Sequence, residues 1–164
     1  MIPTPHTAGK SGATKRSSKP KRADGPPVID SNKLERIKVS SVDDPAVNWR
    51  ASFATCGGNH ADQSSTIVYE IAPGGHLGWH TDATEETQYI IAGSGELQME
   101  DGKFEVGPGS VFVLPTNVRH DLVNTGKEPL RAVAFFAAAM FTQDFDSVML
   151  PPKSHILGTP NREG

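Results

Sequence analysis

Alternating apolar and polar side chains recur in short runs along this chain, and each run predicts a half-buried β-strand, because successive side chains of a strand point to opposite faces. Residues 34 to 40 (LERIKVS) alternate in this way, 48 to 54 (NWRASFA) can be read the same way, and 65 to 72 (STIVYEIA) form the clearest run, ending at Pro73-Gly74-Gly75. Further strands are predicted at 86 to 91, 95 to 100, 103 to 106, 110 to 114, 119 to 124 and 130 to 137. Turns fall between them at Gly93-Ser94-Gly95, Asp101-Gly102, Gly107-Pro108-Gly109 and Thr125-Gly126. After Met140 the alternation fails. Residues 142 to 149 (TQDFDSVM) are expected to form one or two helical turns, and the Pro-rich end from 151 a mobile or docking tail.

About nine short, closely spaced strands with no helix between them predict an all-β domain whose sheet closes into an antiparallel barrel or jelly roll, which removes exposed edges and leaves an interior able to hold a ligand. The 164 residues, 36% of them hydrophobic, suit a single core of moderate size, and sixteen glycines with thirteen prolines agree with many turns. The expected division is a disordered basic tail over 1 to 30, one β-barrel over 31 to 150 and a flexible tail over 151 to 164. Residues 1 to about 30 carry almost no large apolar side chain, so burial there does not offset the entropy of ordering.

Charge sharpens this division. The net charge of −3 hides a basic tail, with Lys10, Lys15, Arg16, Lys19, Lys21 and Arg22 and no acid before Asp24, joined to an acidic body. An acidic body disfavours nucleic acid as a partner. The lone Cys56 excludes an internal disulfide framework and reads as a small packed side chain. No stretch is long and apolar enough to span a bilayer, and no leader-like pattern opens the chain, so the cytoplasm is the expected compartment.

Within Pro73 to Gly95 lie His80, Asp82 and Glu86, and His120 follows the Pro115-Thr116-Asn117 turn. His80 and Asp82 are two apart, as are Glu86 and Gln88, so each pair can face one interior. Two imidazoles and one or two carboxylates suit a divalent Fe(II), Mn(II), Ni(II) or Zn(II) ion with positions left open for substrate. Asp82 can instead form a salt bridge or cap a turn. Gln88 is read either as a substrate contact or as a structural hydrogen-bonding group. Trp79 and Tyr89 alternate out of phase with these residues and read as packing, His76 as exposed in its turn, and Arg119 as pointing away from His120. His6, His60 and His155 lie in tails or loops.

The spacing resembles the cupin superfamily. Its first motif, Gly, five residues, His-x-His, three or four residues, Glu, six residues, Gly, is matched by Gly74, His80-Thr81-Asp82, Glu86 and Gly93. The second, Gly, five residues, Pro-x-Gly, two residues, His, three residues, Asn, is matched by Gly109, Pro115-Thr116-Asn117, His120 and Asn124. Asn117 replaces a glycine, a mild change because Asn tolerates the left-handed backbone. Asp82 replaces the second histidine. The resemblance implies a double-stranded β-helix, with His80, Glu86 and His120 as metal ligands and Asp82 at the fourth ligand position. It also implies a small-molecule enzyme, and a dioxygenase-type oxidoreductase acting on a small polar metabolite is the expectation, with Glu86 or Asp82 moving a proton. A metal-dependent isomerase, lyase or decarboxylase, or a non-catalytic metabolite binder, stands beside it. A homodimer formed through an added strand from the 34 to 54 region is expected by analogy. His80-x-Asp82 with His120 also forms the two-histidine, one-carboxylate triad of non-haem iron oxygenases, some of which keep an arginine for 2-oxoglutarate near the place of Arg131.

Overall fold

A computed structural model describes residues 28–59 and 61–160. The basic tail to residue 27, with His6, and also His60 lie outside the described residues. The predicted alternation becomes β1 (Ile37–Ser41), β2 (Asn48–Thr55), β3 (Ser65–Ile71), β4 (His80–Asp82), β5 (Glu86–Ala92), β6 (Gly95–Met99), β7 (Gly102–Val106), β8 (Val111–Leu114), β9 (His120–Asn124) and β10 (Leu130–Phe136). Two further strands, β11 (Thr142–Leu150) and β12 (Ser154–Gly158), follow.

These strands form one curled antiparallel sheet in the order β7-β6-β9-β4-β11-β1-β2-β3-β10-β5-β8, with β12 hydrogen-bonded to β11. The core sits on the concave face. Alternation decides which residues reach it: Ser65, Ile67, Tyr69 and Ile71 point inward from β3, Glu86, Gln88 and Ile90 from β5, and Leu130, Ala132, Ala134 and Phe136 from β10. The polar side chains of β5 therefore occupy two positions that the pattern reserves for the core.

Two motif positions carry local backbone requirements. Gly93 turns the chain between β5 and β6 at φ 82°, and a Cβ there would lie 2.6 Å from the Pro129 carbonyl oxygen and 2.7 Å from Leu130 Cα. Glycine satisfies both demands. Asn117 stands at φ 61°, so the residue that replaces glycine in the second motif takes the left-handed conformation expected of it.

The end of the chain differs from the expectation. Residues 142 to 150 form a strand, not helical turns, pairing with β4 through Gln143, Asp144 and Phe145 and with β1 through Met149 and Leu150. Its buried apolar residues, Phe145 and Met149, lie four apart with the polar Ser147 between them, a spacing that one face of a strand and one face of a helix share. Residues 154 to 158 form β12 on its flank instead of a free tail. Within the 34 to 54 region, β1 pairs with β2 over Ile37–Ser40 and with β11 at Ser40 and Ser41. Among the described residues no helix is long and apolar enough to cross a membrane.

Candidate metal centre

The adjacent strands β4 and β9 set His80 directly opposite His120 in register, with their rings 4.3 Å apart. β5 enters from the other side of the cavity and brings Glu86. His80, Asp82, Glu86, Gln88 and His120 are each no more than 2% exposed. Charged and polar groups at such depth are costly unless they are paired or bind an ion.

Each ligand candidate is held by its outer atom and leaves its inner atom free. His80 Nδ1 lies 2.7 Å from the Gly78 carbonyl and His120 Nδ1 2.8 Å from the Val118 carbonyl. A carbonyl only accepts, so each Nδ1 carries the proton and each Nε2 turns its lone pair inward. Gln143 Nε2 donates to Asp82 Oδ1 at 2.7 Å, and Gln88 Nε2 donates to Glu86 Oε1 at 2.8 Å. The Tyr69 hydroxyl donates to Gln88 Oε1, completing a chain of buried donors that runs from Tyr69 through Gln88 to Glu86. Phe145 stacks on the His80 ring, with centroids 4.5 Å apart and planes 18° from parallel.

The inner atoms then face one another. His120 Nε2 stands 3.5 Å from both Asp82 Oδ2 and Glu86 Oε2, and His80 Nε2 stands 3.9 Å from Asp82 Oδ2. Among the described residues Asp82 Oδ2, Glu86 Oε2 and His120 Nε2 are buried with no hydrogen-bond partner. Three buried donor atoms converging without a partner are surroundings that a cation satisfies. Donor atoms of His80, Asp82 and His120 all lie within 4.8 Å of one another. Glu86 borders this compact group through His120.

Charge and burial act unevenly on the cluster. Burial, and then the neighbouring His120, push the His80 pKa down to about 4. Burial also lowers His120, but the carboxylates of Glu86 and Asp82 outweigh it and hold its pKa above the ordinary value. Glu86 is pushed up to about 8 by burial, against the pull of His120. Tyr69 rises well above its usual range through burial and then the Glu86 charge, so its hydroxyl stays protonated and donates.

A cavity of about 260 Å³ opens onto this cluster and is lined by His80, Glu86, Tyr69 and Gln143 together with a wall of apolar side chains. Gln88 and Arg131 do not line it. The Gln88 amide joins Tyr69 to Glu86. Arg131 is paired across the sheet with Glu70, on the face that alternation turns away from the cavity.

Several flanking residues differ in role from their sequence reading. His76 is half-buried, not exposed, and clamps Asp121 (2.6 Å) and Asp44 (2.9 Å) with its two ring nitrogens. Asp121 Oδ1 also accepts from the Gly78 amide at 3.0 Å, so this clamp pins the loop that leads into His80. Arg119 turns away from His120 as expected, lying 4.3 Å over the Trp79 ring and pairing with Asp146. Tyr89 is 44% exposed and His155 sits exposed on β12. Gln143 and Phe145 were missed because they belong to the misread strand; an inward residue two places from Phe145 was the signal available.

Fold and site together define a double-stranded β-helix with an imidazole and carboxylate centre inside its barrel. Residues 67–136, which run from within β3 to the end of β10 and hold every ligand candidate, match the family model for the cupin domain. L-ectoine synthase of Bordetella petrii is 37% identical over 76 residues, which cover 45% of this chain and 56% of that protein. The chain thus matches little more than half the length of that curated relative. Among solved structures, the polyketide cyclase RemF of Streptomyces resistomycificus aligns with a TM-score of 0.57 at 20% identity, over 66% of this chain and 77% of that one. Oxalate decarboxylase of Lactobacillus farciminis, in a formate complex, aligns with a TM-score of 0.58 at 22% identity, over 70% of this chain and 34% of that one. At those identities the likeness is one of fold.

Proposed function

We propose that this chain is a metal-dependent enzyme acting on a small molecule, in which His80, Asp82 and His120 hold a divalent ion and Glu86 stands beside it as the proton-carrying group. The observation that carries this reading is the convergence of three buried, unpartnered lone-pair atoms, Asp82 Oδ2, Glu86 Oε2 and His120 Nε2. Borderline and hard donors of this kind favour Fe(II), Mn(II), Ni(II) or Zn(II). A bound ion would supply Lewis acidity, polarising an oxygen of the substrate. The protein's own part follows from its hydrogen bonds. Gln88 and Tyr69 fix the outer oxygen of Glu86 and leave Oε2 bare toward the cavity, where it can take a proton from a substrate carbon or oxygen and return it. Gln143 does the same for Asp82, and the two backbone carbonyls hold both imidazoles in the ligating tautomer. The three relatives compared are named as two cyclising or synthetic enzymes and a decarboxylase, which supports proton-transfer chemistry on this scaffold.

The dioxygenase reading remains the second one, and the specific observation that favours it is the compact His80, Asp82 and His120 set, two imidazoles with one carboxylate. Elemental analysis of protein purified without chelator tests the shared premise: about one ion per chain is expected in the wild type and none in His120→Ala. Equal metal content in the two proteins, or failure of the wild type to take up Fe, Mn, Ni or Zn at micromolar concentration, refutes the metal-dependent enzyme and leaves a non-catalytic binder. Turnover of enolisable substrates under argon would then separate proton transfer from oxygen-dependent chemistry.

A second copy of the chain is proposed as the partner of the outer face of β10, β5 and β8. Tyr89, Ile91, Val111, Val113 and Phe135 are exposed there, and among the described residues β8 ends the sheet with an unpaired backbone edge that a twofold-related β8 would complete.

A further inference from the structure

We infer that the site takes a molecule with an apolar, ring-sized body and one oxygen-bearing head group, a substrate class that rests on the metal-dependent reading above and departs from the small polar metabolite expected of the sequence. The cavity wall includes Trp49, Phe53, Ile67, Phe136, Phe141 and Leu157, and among the described residues no lysine or arginine lines it. Trp49 Nε1 donates to the Leu77 carbonyl at 3.0 Å, Thr159 Oγ1 accepts from the Phe141 amide at 3.3 Å, and the Tyr69 hydroxyl donates to Gln88. The groups left to greet a ligand are His80, Glu86 and the amide oxygen of Gln143, all at the metal centre, with the inner face of the cluster behind them.

Size and charge narrow the class further. A volume of about 260 Å³ holds at least nine or so non-hydrogen atoms, counting each at the roughly 30 Å³ a liquid water occupies. That is more than a two-carbon diacid fills and enough for a ring with a short substituent. Two carboxylates, Asp82 and Glu86, balance a divalent cation without help from His80 or His120, so the centre offers no surplus positive charge to a dianion. A second charged or hydroxyl-rich end would lie against Phe and Leu with nothing to pair it, and each such group loses about tenfold or more in affinity. An apolar ring gains from the same wall.

The test uses the full chain loaded with Zn(II), with metal content measured on the same sample. Salicylate, lactate and malate are titrated while Trp fluorescence and calorimetry are followed. Salicylate keeps a chelating oxygen pair on a ring, lactate keeps a similar head without the ring, and malate adds a second carboxylate. Salicylate is expected to bind at least tenfold more tightly than either. Lactate or malate binding as tightly as salicylate, or salicylate failing to bind protein that holds its zinc, overturns the inference while leaving the metal centre intact. 2-Naphthol, which does not chelate, is titrated into chelator-treated protein and is expected to bind there too. Its binding to a chain that never retains metal would uphold the cavity and refute the metal-dependent reading. Leu157→Glu, on the cavity wall in β12, should lower salicylate affinity at least fivefold with zinc content unchanged. Ile37→Glu, at a 45% exposed position of the same lining, serves if the first variant does not fold.

Discussion

Asp82→Asn separates what the cluster does for binding from what it does to stability, because the two effects have opposite signs. In the folded chain Asp82 Oδ1 accepts from Gln143, while Oδ2 faces His120 Nε2 at 3.5 Å with no donor. An asparagine of the same shape keeps its oxygen on Gln143 and places an NH2 where Oδ2 stood, turned toward the ring nitrogens of His120 and His80. A buried polar group left unpaired costs about 1–3 kcal/mol, and more when charged, so the substitution is expected to stabilise the metal-free chain by about that amount. For a domain of this size the melting temperature moves about 2–4 °C per kcal/mol, which places the rise near 3–9 °C. Metal opposes this gain. At a free concentration a thousand times its dissociation constant an ion stabilises the wild type by about 4.1 kcal/mol, whereas a variant with hundredfold weaker affinity gains about 1.4 kcal/mol at the same concentration. Thermal unfolding of both proteins, chelated and Zn-loaded, should therefore show the variant's lead fall by about 2.7 kcal/mol on loading, which reverses the rank where that lead is about 2 kcal/mol. A chelated variant that melts at or below the chelated wild type, or one that shows the full metal-induced shift, would refute the reasoning.

Three further outcomes follow from the surrounding contacts. Gln143→Leu removes the side chain that, among the described residues, is hydrogen-bonded to Asp82 and should weaken metal binding about 10–100-fold in a competition titration, with the fold retained. The hydrogen bond to Asp121, and then the charges of Asp121 and Asp44, hold the His76 pKa above its ordinary value against the effect of burial. The clamp's contribution is therefore fully present below the unfolded-state value of about 6.5 and is lost as pH rises through the folded value; denaturant midpoints measured from pH 6 upward should fall in the wild type, and this part of the slope should vanish in His76→Gln. Val113→Lys puts a charge at a 54% exposed place on the outer face of β8 and should shift sedimentation from dimer to monomer; a wild type that sediments as a monomer at all concentrations rules out that interface.

The barrel was legible because one physical signal, period-two alternation bounded by Gly and Pro, runs from Ile37 to Phe136 almost without interruption. The ligand candidates were legible for the opposite reason: His80, Asp82, Glu86 and His120 occupy inward positions where that pattern calls for apolar side chains, at intervals that two family motifs share. Chemistry without periodicity stayed hidden. Tyr69 and Gln88 look like ordinary members of their strands, and only the fold shows that they form one chain of donors ending on Glu86. His76 gave no hint of its two aspartates, which lie 32 and 45 residues away in sequence.

The largest loss came at β11, and its consequence is functional. Phe145 and Met149 lie four residues apart with the polar Ser147 between them, so the strand reads as a helix, and everything after it then reads as a tail. In the folded chain β11 carries Gln143 to Asp82 and Phe145 to His80, while Pro151, Pro152, Leu157 and Thr159 extend the cavity wall. The matched family span supplies the ligand candidates, yet it ends at residue 136, before any of these. The ligand candidates thus lie inside the span that matches the family model, whereas Gln143, Phe145 and much of the cavity wall lie in the final strands, outside it. On the proposed reading, it is these last strands that narrow the substrate of this chain.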